Sequence, residues 1–239
     1  MAPLVLITGG NAGIGLATAK ILAKEHSHQV IIGSRNKEAG EKAAAEVGHG
    51  AISVQLDLDS PSSIDAAIAT IEKNFGYLDI LINNAGAFYD NIPDVPRYEL
   101  YLKAFKSNVI GPATLTDGLI PLLRKAKSGP PKVIFVSSIM GSIEKSRNPE
   151  VPWYNIEARG YKSSKAAVNM LMTDYDRILR DTGAKVNALC PGYVATKIND
   201  HNAAGVSAEV GAKRTVELAI DGKDGVTGTY TNIEGTIPF

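Results

Sequence analysis

The stretch Leu4-Val5-Leu6-Ile7-Thr8-Gly9-Gly10-Asn11-Ala12-Gly13-Ile14-Gly15 joins a short apolar run to a turn that contains four glycines. A helical pattern follows, with apolar side chains at Leu16, Ala19, Ile21 and Leu22. A strand that enters such a turn and then a helix directs backbone N–H groups and the positive helix end toward a bound phosphate. The stretch therefore predicts the first unit of a nucleotide-binding α/β fold, although an ordinary tight turn would have a similar composition.

Apolar runs that predict buried strands alternate with helical patterns along the rest of the chain. The predicted strands are residues 4–8, 30–33, 51–56, 78–83, 132–137, 185–189 and 229–232. Helical periodicity is clear from Ile64 to Phe75, behind Ser60 and Pro61; further helices are expected from Tyr161 to about Asp181 and from about Ser207 to Ile220. The alternation predicts a doubly wound (Rossmann), mostly parallel seven-stranded sheet with helices on both faces, in a single domain over residues 1–239.

The charge balance favours small-molecule partners. Lys plus Arg and Asp plus Glu total 25 each, which argues against a broad electrostatic surface for nucleic acid or an anionic membrane. No apolar run approaches ~18 residues, so we expect a cytoplasmic protein. The single cysteine, Cys190, cannot form an intramolecular disulfide, and the four histidines lack the spacing of a zinc site. No metal is predicted.

The end of the second predicted strand carries the evidence on cofactor type. A site for NAD usually places an acidic residue here to bind the ribose 2′-hydroxyl, but this chain has Ser34 and Arg35. An arginine fork and a small hydroxyl suit a 2′-phosphate, so the sequence favours NADP(H), with Arg35 as a solvated surface charge as the alternative. Asp57 and the Asn84-Ala85-Gly86 turn follow the next two strands and could line the same crevice, although Asp57 could instead cap the next helix and Asn83-Asn84 could only stabilise a turn.

Tyr161 and Lys165 are the strongest candidates for chemistry. They lie four residues apart on one predicted helix face, so a lysine ammonium could stabilise the phenolate of the tyrosine. A tyrosine packed on the sheet beside a solvated lysine would show the same spacing, and only the nucleotide motifs decide against that alternative. Tyr154 is a weaker phenol candidate because Ala158 lies four residues after it.

In these motifs the chain resembles the short-chain dehydrogenases/reductases over nearly its whole length. The glycine turn, Asn83-Asn84-Ala85-Gly86, Asn108, Ser138, Tyr161-x3-Lys165 and the segment from Pro191 to Thr196 occur in the order typical of that family's compact branch. The resemblance, which is to NADPH-dependent carbonyl reductases in particular, implies roles for further residues. Asn108 would order a water beside Lys165, Ser138 would bind the substrate oxygen, and residues 191–196 would hold the nicotinamide.

The resulting prediction is an NADP(H)-dependent oxidoreductase that reduces a ketone or aldehyde, with Tyr161 as the general acid. The predicted catalytic residues are Asn108, Ser138, Tyr161 and Lys165. The predicted cofactor-binding residues are Gly9, Asn11, Gly13, Ile14, Gly15, Ser34, Arg35, Asp57, Leu58, Asn84, Ala85, Gly86, Tyr161, Lys165, Pro191, Gly192, Val194 and Thr196. Two alternatives are an NAD-dependent secondary alcohol or sugar dehydrogenase and a non-catalytic nucleotide-sensing protein of the same fold.

Several loop segments bear on substrate and assembly. The segment from Lys145 to Trp153 resembles the insertion of monomeric carbonyl reductases, which leaves a monomer and a homo-oligomer both open. Aromatic side chains in candidate substrate-facing loops favour an apolar or aromatic carbonyl substrate, although they could equally pack the loops down. They are Phe88, Tyr89, Trp153, Tyr154 and Tyr193.

Overall fold

The computed structural model describes residues 1–199 and 201–239. The strands are β1 (Leu4–Thr8), β2 (Gln29–Ser34), β3 (Ile52–Gln55), β4 (Ile80–Asn83), β5 (Lys132–Val136), β6 (Lys185–Leu189), β7 (Tyr230–Asn232) and β8 (Gly235–Thr236). Within the described residues they form one eight-stranded sheet in the order β3-β2-β1-β4-β5-β6-β7-β8. The chain starts at β1 in the middle, winds outward to β3, returns to β4 beside β1 and then winds the other way. This reversal creates a crevice at the carboxyl ends of β1 and β4, where open α/β sheets bind ligands.

Helices connect the strands and cover the sheet. They are α1 (Gly13–His26), α2 (Lys37–Val47), α3 (Pro61–Phe75), α4 (Arg97–Phe105), α5 (Gly111–Leu123), the short α6 (Ile143–Ser146), α7 (Arg159–Ile178) and α8 (Ala208–Ile220). A π-helical turn, Lys106–Ile110, joins α4 to α5. Seven strands run parallel, and β8 pairs antiparallel with β7.

Two apolar cores lie on the two faces of the sheet. Leu4 and Leu6 of β1 belong to the core that also contains side chains of α3, α5 and α7. Val5 and Ile7 point to the other face and pack with side chains of α1, α2 and α8. Successive strand residues point to opposite faces, so a central strand covered on both sides is apolar at every position. This explains why β1 appears in the sequence as a continuous apolar run.

The structure confirms the doubly wound, mostly parallel fold, with two local differences. An eighth strand follows β7, because residues 233–234 form a tight turn in which Asn232 Oδ1 accepts hydrogen bonds from the N–H groups of Glu234 and Gly235 at 3.0 Å each. Gly235–Thr236 is too short and too polar to form an apolar run. In addition, α7 ends at Ile178 rather than near Asp181, since a 3-10 turn, Arg180–Thr182, follows it.

No helix among residues 1–199 and 201–239 is long and apolar enough to cross a membrane.

Candidate active site

A cleft of about 370 Å³ opens at the carboxyl edge of the sheet. Each of four strands contributes the residue that follows its last strand position or lies close to it: Asp57 after β3, Asn84 after β4, Ser137 after β5 and Pro191 after β6. The first residues of α1 also line the cleft, as do Tyr161 and Lys165 of α7. The cleft therefore brings residues that are distant in the sequence to one place.

The glycine turn has the shape that a phosphate site needs. Gly9 and Gly13 have φ values of +63° and +51°, a backbone conformation that side chains disfavour. The N-cap residue of α1 is Ala12, which offers no side-chain acceptor to the first N–H groups of the helix, and the first turn of α1 holds no acidic side chain. By contrast, Asn36 and Ser60 cap α2 and α3. The first N–H groups of α1 thus have no capping side chain.

Thr8 and Asn84 tie the glycine turn to the turn that follows β4. Thr8 Oγ1 accepts hydrogen bonds from the N–H groups of Asn84 and Ala85 at 3.0 and 2.9 Å. Asn84 Nδ2 donates to the carbonyl oxygen of Thr8 at 2.8 Å. A methyl group added at Gly15 would lie 2.5 Å from Asn84 Nδ2, so the absence of a side chain at position 15 is what permits this contact. The two predicted binding turns form one hydrogen-bonded unit.

Arg35 and Asp57 line the cleft, whereas the Ser34 side chain is buried in the protein. Arg35 is exposed and lines the cleft, together with Asp57 and Leu58. Ser34 is buried, and its hydroxyl donates to the carbonyl oxygen of Asn36 at 2.8 Å. Arg35 is therefore the basic side chain that the end of β2 presents to the cleft, and Ser34 is not among the lining residues.

Tyr161 and Lys165 meet at the inner part of the cleft. Lys165 is buried, and its Nζ donates to the carbonyl oxygen of Val136 at 2.9 Å and lies 5.6 Å from the centre of the Tyr161 ring. The Phe88 ring packs against the Tyr161 ring, with the two ring centres 5.1 Å apart and the ring planes 57° apart. A methyl group at Gly86 would lie 3.2 Å from Lys165 Nζ, so the turn after β4 approaches the ammonium closely.

Burial shifts the proton affinity of both groups. It raises the pKa of the Tyr161 phenol to about 12, with the neighbouring Ser138 hydroxyl acting in the opposite direction. It lowers the pKa of the Lys165 ammonium to about 8. Removal from water disfavours the charged form of each group, which explains both directions. At pH 7 the tyrosine is therefore protonated, and the lysine is still below its lowered pKa.

Asn108 lies behind this pair in the π-helical turn. It is buried, and both polar atoms of its amide bind the backbone of Ala87: the N–H of Ala87 donates to Oδ1 at 2.8 Å, and Nδ2 donates to the carbonyl oxygen at 2.9 Å. Nδ2 also donates to Ser164 Oγ at 3.0 Å. A methyl group at Gly86 would lie 3.5 Å from Oδ1, which places Asn108 on the same side as Lys165 Nζ. Asn108 thus connects the turn after β4 to α7.

Ser138 follows Ser137 just beyond the end of β5. Ser137 Oγ donates to the carbonyl oxygen of Lys165 at 3.3 Å, so this hydroxyl holds α7 on the sheet. Ser138 Oγ accepts from the N–H of Met140 at 3.3 Å and lies beside Tyr161, and its carbonyl oxygen accepts a hydrogen bond from the Tyr230 hydroxyl. Three residues later, position 141 requires glycine because a methyl group there would lie 2.8 Å from the Lys165 carbonyl carbon.

The segment after β6 closes the cleft against α1. Thr196 lies against the glycine turn, since a methyl group at Gly13 would lie 3.3 Å from its Cγ2. Val194 is buried, and a methyl group at Gly211 of α8 would lie 2.6 Å from its Cγ2. Asn199, which the sequence analysis did not single out, holds the segment: Oδ1 accepts from the N–H of Thr196 and Nδ2 donates to the carbonyl oxygen of Val194, both at 3.0 Å.

Most predicted site residues line the cleft, and a few stand beside it. The predicted residues in the lining are Gly9, Asn11, Gly13, Ile14, Arg35, Asp57, Leu58, Asn84, Ala85, Gly86, Tyr161, Lys165, Pro191 and Thr196. Gly15, Ser34, Asn108, Ser138, Gly192 and Val194 are outside the lining. Sequence reasoning missed Asp59 and Ser107, which lie in it and are hydrogen-bonded to each other at 2.9 Å. Asp59 could have been found from its place two residues after Asp57; Ser107 gave no signal.

Comparison with known proteins assigns the family. Residues 3–206 match the family model described as short chain dehydrogenase. The chain is 37% identical to the short-chain dehydrogenase anuI of Penicillium roqueforti over 92% of its length and 89% of that protein. Its structure resembles NADPH-bound carbonyl reductase from chicken fatty liver, with a TM-score of 0.84 and 28% identity over 99% and 98% of the two chains. The Pseudomonas aeruginosa RhlG/NADP complex gives a TM-score of 0.84 with 26% identity, over 98% and 95%. The chain belongs to the short-chain dehydrogenase/reductase family of oxidoreductases.

Proposed function

We propose that this protein is an NADP(H)-dependent carbonyl reductase in which Tyr161 is the general acid. The observation that carries the proposal is that Tyr161, Lys165 and the glycine turn line one cleft, although they lie about 150 residues apart in the sequence. The single sheet that carries these residues supports one cofactor-binding and catalytic domain over residues 1–239.

The cleft fits a dinucleotide. The first N–H groups of α1 and the side-chain-free positions Gly9 and Gly13 would hold the pyrophosphate, and Asp57 and Leu58 would lie along the adenosine. Pro191 and Thr196, in the segment after β6, would hold the nicotinamide. When bound, NADPH supplies the hydride; the protein supplies orientation and electrostatics. The solved relatives named above as NADPH-bound or NADP-complexed support the choice of a nicotinamide cofactor.

Arg35 supports NADP(H) over NAD(H). It lines the cleft at the end of β2, where its neighbours in the sequence are Ser34 and Asn36 and the residue paired with Ser34 on β3 is Gln55, so none of these three positions carries a carboxylate. A guanidinium can bind the two oxygens of a ribose 2′-phosphate at once, and such charge-assisted pairs are stronger than neutral hydrogen bonds. Because Ser34 is turned into the protein, Arg35 carries most of this proposed discrimination.

Tyr161 has the protonation state that a reductase needs. Reduction places negative charge on the carbonyl oxygen, and a phenol with a pKa near 12 holds its proton until that charge develops. The adjacent Lys165 ammonium then stabilises the phenolate that remains after proton transfer. Ser138 Oγ, beside Tyr161, would donate to the same substrate oxygen. Asn108 would keep the turn after β4 close to Lys165, and it would order a water molecule beside the Lys165 ammonium.

Aromatic side chains lie in and beside the cleft at Tyr161. Phe88 packs on the Tyr161 ring, and Tyr89 lines the cleft. Aromatic side chains bury apolar groups well. We infer a ketone or aldehyde with an aromatic or alkyl substituent as the substrate class.

The test is NADPH oxidation, followed at 340 nm, with a panel of aliphatic and aromatic aldehydes and ketones, and the same panel with NADH. We expect turnover with at least one aromatic carbonyl compound and a higher kcat/KM with NADPH. Tight NADPH binding, with no turnover of any carbonyl compound and no oxidation of secondary alcohols with NADP+, would instead identify a nucleotide-sensing protein and contradict the proposal. A higher kcat/KM with NADH would overturn the cofactor assignment.

A further inference from the structure

The four residues Ala87 to Asp90, here called the strap, are held at three of their four positions. Asn108 binds both backbone polar groups of Ala87. The Tyr89 hydroxyl is hydrogen-bonded to Ser107 Oγ at 2.8 Å. Asp90 binds the start of α7. The remaining residue, Phe88, is free to pack on the Tyr161 ring. The strap thus runs from Asn108 to the first turn of the helix that bears Tyr161.

Asp90 caps α7 from a distance of 70 residues in the sequence. Its Oδ1 accepts a hydrogen bond from the N–H of Gly160 at 2.8 Å, and its Oδ2 accepts one from the N–H of Tyr161 at 2.9 Å. The local N-cap residue, Ala158, offers no side-chain acceptor to these groups. A carboxylate at the N-terminus of a 20-residue helix is also favoured by the helix dipole. Asp90 therefore takes the place of the missing local cap.

The packing around Gly160 leaves little freedom for this contact. A methyl group at position 160 would lie 2.4 Å from Leu100 Cδ2 and 3.4 Å from Asp90 Oδ2. The α4 helix, which contains Leu100, therefore presses on the same first turn that Asp90 binds. The backbone N–H of Tyr161 is therefore held by Asp90, and the Tyr161 ring is held by packing against Phe88.

We propose that Asp90 is a positioning residue that fixes the backbone of Tyr161 and the Phe88 ring relative to each other, and thereby sets the direction of the Tyr161 hydroxyl and the face of the ketone that is reduced. The inference rests on the proposed function, in which Tyr161 donates the proton. Asp90 itself acts only through backbone N–H groups of α7. Without it, the first turn of α7 would lose both of its hydrogen bonds to the strap.

The test compares Asp90→Asn with Asp79→Asn in the full chain. Asp79 is a matched control: it is buried, and its carboxylate accepts hydrogen bonds from the N–H groups of Leu4, Lys127 and Ser128 at the opposite edge of the sheet. Both changes replace a carboxylate oxygen with an N–H donor that faces other donors, so both should lower Tm. The readouts are kcat, the Kd for NADPH, and the enantiomer ratio of the alcohol from the best prochiral ketone of the panel.

We expect Asp90→Asn to lower kcat by about 10- to 100-fold, the effect of misplacing a reacting group by about 1 Å. It should also lower the enantiomer ratio at least about threefold, with the Kd for NADPH within about twofold of the parent. Asp79→Asn should leave kcat and the enantiomer ratio unchanged. Equal behaviour of the two variants in kcat and enantiomer ratio would overturn the inference, because Asp90 would then be a structural cap only.

Phe88→Leu keeps every hydrogen bond of the strap and is the second variant, informative even where Asp90→Asn does not fold. It should lower the enantiomer ratio with little change in Tm; an unchanged ratio would overturn the inference. Tyr161→Phe separates this inference from the proposed function. Full activity in Tyr161→Phe would refute the function itself, whereas an inactive Tyr161→Phe with a normal ratio in Phe88→Leu would refute only the role of the strap.

Discussion

Replacement of Gly15 by alanine should uncouple the glycine turn from the turn after β4. The new methyl group would lie 2.5 Å from Asn84 Nδ2, 2.6 Å from the carbonyl oxygen of Gly9 and 3.0 Å from Gly10 Cα. Two of these three atoms belong to backbone, which cannot rotate away as a flexible side chain would. Asn84 must therefore swing out and give up its hydrogen bond to the carbonyl oxygen of Thr8, which is 2.8 Å long.

The cost of Gly15→Ala follows from these contacts. Overpacking a tight site costs about 1–3 kcal/mol, and the lost hydrogen bond costs about 1 kcal/mol. The gain in helix propensity from Gly to Ala returns about 1 kcal/mol. The free energy of unfolding should therefore fall by about 1–3 kcal/mol, and Tm by about 2–12 °C for a chain of this size. Because the displaced atoms also form the proposed phosphate site, NADPH should bind more weakly.

Thermal unfolding with and without NADPH, and calorimetric titration of NADPH, measure both effects. Gly222→Ala is the control, because no atom lies within 4 Å of a methyl group at that position and its φ is outside the left-handed region. It should change neither Tm nor the Kd. A Gly15→Ala variant with the parent Tm and the parent Kd for NADPH would refute the reasoning that close contact requires glycine here.

Two further predictions concern the cofactor and the lysine. Arg35→Ala should lower the ratio of kcat/KM for NADPH to that for NADH by about 10-fold or more, the value of a lost charge-assisted hydrogen bond. Lys37 is an exposed cation outside the cleft lining, so Lys37→Ala should leave this ratio unchanged. An unchanged ratio in Arg35→Ala would refute the proposed contact with the 2′-phosphate. The kcat/KM for NADPH in reduction should fall as pH rises through about 8, because Lys165 is charged only below its lowered pKa and only the cation stabilises the phenolate. A profile that stays flat to pH 10 would argue against this role of Lys165.

The parts of the site that local patterns determine were predictable from the sequence. Buried parallel strands read as apolar runs, so β1 to β6 were located to within two residues. The spacing of Tyr161 and Lys165 on one helix and the glycines before α1 are also local features, because each depends on neighbours along the chain. These local features are sufficient to predict a cleft at the carboxyl edge of the sheet.

The remaining features depend on contacts between distant segments. Asn108 lies in a π-helical turn that no local pattern predicted, and this turn aims its amide at Ala87. The hydrogen bond from Gly160 at the start of α7 to Asp90 joins positions 70 residues apart, so the absence of a capping side chain at Ala158 does not indicate which residue supplies the cap. The direction of the Ser34 hydroxyl, toward the carbonyl oxygen of Asn36, depends on the side-chain rotamer that Ser34 adopts. Residue types alone do not determine such orientations.

The most direct test of the account is the turnover number of Tyr161→Phe. The phenylalanine ring keeps the contact with Phe88 and removes only the hydroxyl, so the fold and the Kd for NADPH should stay within about twofold of the parent. General acid catalysis contributes about 10²- to 10⁴-fold, and kcat for carbonyl reduction should fall by that factor. Tyr154→Phe, which changes the other phenol considered, should keep the parent kcat. A Tyr161→Phe variant that reduces the same carbonyl compounds at near the parent rate would contradict the account.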